Sequence, residues 1–337
     1  MANNSTPCLT ESQIMLTRSL PYVAAYIMTP TYFTIGTFSR ISCFIAFYKQ
    51  SKKEKGYAYQ LFASVTEVLE VITHSLNMTT LNNLSGFRLP GASWFINSYA
   101  LMWYSAHLAT PLFQVFVTTS LLLSLSMAAD RVFALTRPFT YKTIKHRRHQ
   151  IIAVFTSYFF GVSTSIFDVF RYQVRDAGSH YEIEPNYAYV STSAAFALAV
   201  VRNIVRMIGN FCLIICNVAM VQAYRSNMKK TGVMDSNSQR EAKKKATHRA
   251  LVLLTICQSI FITADISFDN LYYTLAVGIP TFTNCMGRVL APVNGFILQS
   301  SGVLEFFALL AISKQFRDTI FGYFKCKKAA NVVSATL

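Results

Sequence analysis

Asp130 and Arg131 stand side by side at the end of an apolar run that begins near Trp103. A carboxylate next to a guanidinium can hold an ion pair, and at a membrane edge both heads stay within reach of water. Other fixed charges interrupt apolar runs: Arg40, Glu67, Glu305, Arg202, Arg206, Asp265 and Asp269. An ionisable side chain in such a run is costly, so it faces a partner or a cavity. Arg202 and Arg206 are four apart and share one face of a helix, and Asp265 and Asp269 repeat that spacing. Two readings follow: the arginines and acids pair across neighbouring helices, or they line a polar cavity for a charged ligand. Arg40, Glu67 and Glu305 lie at similar depth, roughly 14 Å from one end of their runs at 1.5 Å per residue.

Catalytic chemistry is harder to find. His74, His107 and His180 are scattered, while His146, His149 and His248 fall in basic segments. No His, Cys and carboxylate set has metal-ligand spacing, and no Gly-rich phosphate loop is present. The expectation is a protein that is not an enzyme, with no catalytic residues, metal or cofactor.

The elements that carry these charges are long and apolar. Of the 337 residues, 53% are hydrophobic and 14% charged, against about 25% charged in a soluble domain. Seven runs are long enough to cross a bilayer as helices. Span 1 covers about Pro21 to Tyr48, span 2 Tyr57 to Leu81 and span 3 Trp103 to Ala129. Span 4 covers Gln150 to Phe170, span 5 Val190 to Tyr224, span 6 Ala250 to Val277 and span 7 Met286 to Ile312. Of 31 Lys and Arg, 22 lie in four segments: four at 49–55, five at 137–148, eight at 225–249 and five at 314–328. These are alternate gaps plus the C-terminal tail, so the positive-inside rule makes them cytoplasmic and the N-terminus external. The net charge of +16 therefore points to anionic inner-leaflet lipid and not to nucleic acid. The fold expected is an all-α seven-transmembrane helix bundle in the plasma membrane. Residues 1–20 form an extracellular tail, 21–312 the bundle, and 313–337 a surface helix and cytoplasmic tail. Phe316, Ile320 and Phe324 recur at helical spacing with bases between, which predicts an amphipathic helix on the inner leaflet.

With Ala134 and Pro138 downstream, Asp130-Arg131 resembles the third-helix signature of rhodopsin-like G-protein-coupled receptors. The resemblance implies that the acid restrains Arg131 at rest and frees it toward a heterotrimeric G protein, with Pro138 in the coupling segment. Asn210-Phe-Cys-Leu-Ile-Ile-Cys-Asn217 and Ser313-Lys-Gln-Phe-Arg317 are similar to invertebrate, nematode-type receptors for FMRFamide-like peptides. In relatives, spans 1, 2 and 7 are neighbours with a shared polar core, so Arg40, Glu67 and Glu305 are expected to form an ionic cluster there, with Glu70 as the alternative acid. Phe113 stands where amine receptors carry an Asp. The departures are equally specific. Where the family ends span 7 with Asn-Pro-x-x-Tyr, this chain has Glu305-Phe-Phe-Ala-Leu309. The span 6 motif is reduced to Phe261, Gly209 replaces a usual Pro, and span 4 has no Trp.

The family's disulfide between span 3 and the second outer loop is missing: Ala106 sits near the first place and residues 171–189 contain no Cys. Cys8 and Cys285 fall on the oxidising side and could bridge, or remain two thiols. Cys326, beside Lys325, Lys327 and Lys328, suits palmitoylation. Asn3, Asn4 and Asn83 open glycosylation acceptor patterns, used or unused.

The function expected is transmission of an extracellular, peptide signal to a G protein. An Arg-Phe-amide peptide would offer its guanidinium to Asp269. A chemosensory receptor for small molecules is the alternative, favoured by the altered switch motifs. A seven-span transporter or channel is the third reading, but no internal repeat supports it.

Overall fold

A computed structural model describes residues 29–52, 58–84, 97–143 and 146–231, with scattered positions between 252 and 267 and between 303 and 322. Five long helices are formed by apolar runs of the expected length. Helix α1 is Thr29–Ser51 and α2 is Ala58–Leu84. Helix α3 is Tyr99–Thr136, 38 residues long. After a short α4, Pro138–Thr143, come α5, His146–Ser165, a 3-10 turn, Ile166–Phe170, and the two-stranded hairpin β1, Tyr172–Asp176, and β2, Tyr181–Pro185. A short α6, Tyr187–Val190, leads into α7, Ser193–Thr231. Among the described residues, three helical stretches are long and apolar enough to cross a membrane by length and composition: Tyr99–Thr136, Arg148–Phe170 and Ser193–Ser226.

Helix α3 is the centre. It packs against α2, α5 and α7, while α1 packs on α2. Leu121, Leu123, Met127 and Ala128 of α3 are fully enclosed, whereas Phe155 and Phe159 of α5 and Phe211 and Ile215 of α7 lie bare. In water such faces would drive association; in a bilayer they meet lipid. Near its N-terminal end α3 widens into a π-helical turn, Ser105–Ala109. Pro111 explains it: a proline has no N–H to give the carbonyl four residues back, and a wider turn relieves the clash. The Thr110 hydroxyl donates back to the Ser105 carbonyl at 3.4 Å.

Two glycines allow helices to approach α3. A Cβ on Gly161 of α5 would lie 2.5 Å from Thr119 Oγ1 and 2.9 Å from the Val115 carbonyl oxygen. A Cβ on Gly209 of α7 would lie 3.0 Å from Leu121 Cδ2. Small residues at such crossings let backbones come close.

Three expectations change. The connection between spans 4 and 5 is a hairpin inside an otherwise helical fold: Tyr172 pairs with Pro185, Val174 with Ile183 and Asp176 with Tyr181. Its turn uses Gly178 at φ 83°, with Asp176 Oδ1 accepting from the Gly178 N–H at 2.7 Å. Asn83, expected in a loop, lies in the last turn of α2. Phe316 and Ile320 do not simply rest on lipid. They are buried with Cys43, Ala46 and Phe47 of α1 and with Phe306 and Leu309. Arg317 donates to the Leu310 and Ala311 carbonyls at 2.8 and 2.6 Å, completing acceptors that a helix end leaves open.

Candidate functional site

The half of the bundle nearer the hairpin brings α3, the 3-10 turn and α7 together around two arginines. Arg202 and Arg206 are 2% and 1% exposed. Burying guanidinium groups this deeply requires partners for their donors. Arg206 Nε donates to Thr118 Oγ1 at 3.0 Å, and its Nη2 donates to the Gln114 carbonyl at 3.1 Å and to Gln114 Oε1 at 2.7 Å. Gln114 and Thr118 are one turn apart on α3, so a single guanidinium plane spans both. Arg202 Nη1 pairs with Asp168 Oδ2 of the 3-10 turn, while its buried Nε has no hydrogen-bond partner. Phe113 is buried beside Val117 on the same helix. Asn210 Nδ2 donates to Ser267 Oγ at 3.1 Å and so ties α7 to span 6. Asp265 and Asp269 lie outside the described residues.

Sequence reasoning missed Asp168, Gln114 and Thr118. Asp168 carried a usable signal, being the one acid in the Gln150–Phe170 run. Gln114 and Thr118 carried none, because polar uncharged residues are ordinary in membrane helices.

Deeper in the bundle, Arg40 of α1 and Glu67 of α2 are both buried, with Arg40 Nε 3.9 Å from Glu67 Oε2. That separation is an ion pair without a hydrogen bond from Nε. Glu70, one turn further along α2, accepts from Ser120 Oγ of α3 at 3.4 Å and lies in the field of both Arg40 and Arg206. Among the described residues the buried acids Glu67 and Glu70 thus stand among the buried arginines Arg40, Arg202 and Arg206, so each charge has an opposite one within the bundle to offset its desolvation. Glu305 lies outside the described residues.

At the other end of α3, Arg131 is buried and Asp130 half-buried. The hydrogen bond at Asp130 comes from eleven residues on: Tyr141 Oη donates to Asp130 Oδ2 at 3.0 Å. Tyr141 also meets Phe133 edge-on, with ring centroids 6.1 Å apart. Burial, and then the Asp130 charge, push the Tyr141 phenol up from its ordinary value, so the donor keeps its proton. Helix α4 positions this tyrosine. Pro138 opens that helix, exposed, where a missing N–H costs nothing. Cys8, Cys285, Cys326, Asn3 and Asn4 lie outside the described residues.

Buried acid–base contacts inside long apolar helices, with a charged pair where α3 ends, suit a membrane-embedded helix bundle. The model of the rhodopsin family of 7-transmembrane receptors matches residues 92–292, more than half of the chain. The chain belongs to that family: a multi-pass membrane receptor with a seven-helix bundle, signalling through a G protein in response to an extracellular ligand. Comparison with curated proteins returns no match.

Proposed function

We propose that this receptor answers a peptide, as the invertebrate receptors for FMRFamide-like peptides do, and that it sits with its N-terminus outside. In this reading residues 1–20 are the outer tail, 21–312 the bundle and 313–337 the inner surface helix and tail. Asp130, Arg131 and Pro138 form the coupling end. Phe113, Arg202, Arg206, Asp265 and Asp269 belong to the ligand side.

The observation that carries the peptide reading is the absence of an acid from the outer half of α3. From Tyr99 to Ala129 that helix has no carboxylate, and Phe113 fills the position facing Val117. A small amine needs a buried counter-charge and does not find one there. A peptide has side chains long enough to meet a charged hairpin. Arg175, Glu182 and Glu184 on that hairpin supply the charge. The altered motifs of spans 6 and 7 support the second reading, a chemosensory receptor for small molecules.

The test is a signalling screen in cells carrying a promiscuous G protein, with amidated peptides and small polar or volatile metabolites as ligands. Arg131→Ala is the paired control. A peptide response that disappears in the mutant at unchanged surface level supports the proposal. A response to small molecules alone replaces it with the second reading. Ligand-driven current or transport untouched by Arg131→Ala would contradict receptor coupling through this end.

A further inference from the structure

The hairpin has two unlike faces. Strand residues alternate, so Tyr172, Val174, Tyr181 and Ile183 point one way, while Gln173, Arg175, Glu182 and Glu184 point the other. The second face is polar and self-paired: Gln173 Nε2 donates to Glu184 Oε1 at 2.8 Å, and Arg175 lies 3.5 Å from Glu184. The first face is apolar and covered. Ile183 is 2% exposed, and it shares a buried cluster with Met102 and Ala106 of α3, flanked by Leu101, Tyr172, Val174 and Tyr181. Tyr181 also meets Tyr99 edge-on at 5.4 Å.

The π-helical turn is what makes this seat. Ala106 lies inside it and is fully buried. An extra residue in the turn rotates the preceding segment by about 100° relative to the helix that follows. Met102 and Ala106 are thereby presented to the hairpin, while Phe113 and Gln114 stay on the interior. The hairpin's approach is fixed from a second side. His107 Nδ1 is 2.6 Å from the Val169 carbonyl oxygen, Arg202 holds the neighbouring Asp168, and Asn186 Nδ2 donates to the Phe170 carbonyl at 3.1 Å. No cysteine occurs between 171 and 189, so the hairpin has no covalent tether of its own.

We propose that Met102, Ala106 and Ile183 form a non-covalent lock that holds the second outer hairpin against α3. Ile183 is its positioning residue, and the hairpin is a fixed wall of the ligand side. This rests on the reading that the hairpin faces outside. A two-stranded hairpin is marginal alone, so it depends on this seat together with the packing of β2 on α2 and the hydrogen bonds at Val169 and Asn186.

The experiment uses trypsin on intact cells expressing the full chain. Trypsin cuts after Arg171 or Arg175, between the two halves of the lock. Wild type and Ile183→Val should be cut slowly. Ile183→Ser should be cut about tenfold faster or more, because opening of the seat limits access. In a Cys8→Ser, Cys285→Ser background, Ala106→Cys with Ile183→Cys should form a disulfide. The cut fragments would then run together without reductant and apart with it, while either single cysteine gives separate fragments. Failure of the pair to cross-link in protein shown to reach the surface would overturn the lock, as would equal cutting of Ile183→Ser and wild type. Cutting seen only after permeabilisation would instead overturn the orientation.

Discussion

Asp168→Asn should damage this receptor more than Arg202→Met, although both break the same ion pair. The reason is unequal burial: the Arg202 side chain is 2% exposed and the Asp168 side chain 15%. Neutralising Asp168 strands a guanidinium that cannot reach water, a loss of about 3–5 kcal/mol. Removing Arg202 strands a carboxylate that can still be hydrated, a loss of about 1–3 kcal/mol. The double variant removes both charges and leaves similar volume, so it should lie within about 1 kcal/mol of wild type. The coupling between the sites is then about 5 kcal/mol, more than about a thousandfold in the ratio of folded to unfolded receptor. The assay is thermal unfolding of the purified receptor, with surface labelling of the same four proteins in cells. The double variant should recover surface level that Asp168→Asn loses. Equal losses in the two single variants, or a coupling under about 0.5 kcal/mol, would refute the burial argument.

Four further changes probe other contacts. Tyr141→Phe deletes the donor to Asp130, worth about 1 kcal/mol at a half-buried site, and leaves that carboxylate free to hold Arg131, so basal G-protein signalling should fall roughly fivefold. A raised phenol pKa means the stabilisation is complete below the ordinary tyrosine value and is lost only as pH climbs through the raised one. The wild-type contact should therefore be flat across about pH 7 to 9 in a signalling titration. Gly161→Ala forces a Cβ against a backbone carbonyl and should cost about 1–3 kcal/mol, read as lost surface expression. Gly36→Ala meets nothing within 4 Å and should stabilise α1 by about 0.5–1 kcal/mol. Gly209→Ala, which presses only on the tip of Leu121, should fall between them.

The helices were legible because membrane spans are written in one dimension. A run of apolar residues of fixed length must close its own backbone hydrogen bonds, and a helix does so without help from elsewhere. That is why α1, α2, α3, α5 and α7 overlap the expected runs, while α3 and α7 extend seven residues beyond the expected ends at Ala129 and Tyr224. The hairpin was written too, in the alternation of Tyr172-Gln-Val-Arg-Asp and the Gly178 turn, but its mixed charge hid the pattern. The partners of the buried charges were less legible. Glu70 was weighed only as an alternative, yet Ser120 and the fields of Arg40 and Arg206 converge on it. Asp168 is distant from Arg202 by 34 residues, and nothing local marks the two as neighbours.

The sequence by itself determined the class of molecule: how many spans, where the basic gaps lie, which residues carry charge into apolar surroundings, and the Asp130-Arg131 end of α3. These follow from hydropathy and charge, which are properties of segments. The tertiary structure decided which charge meets which. Arg202 looks to Asp168 in the 3-10 turn after α5, Arg206 to Gln114 and Thr118, and Asp130 to Tyr141. It also decided that a π-helical turn and an isoleucine seat the hairpin. Such pairings depend on helix rotation and on how closely two backbones approach at Gly161 and Gly209. Rotation and approach are set by packing of side chains from distant segments, so they are properties of the assembled bundle.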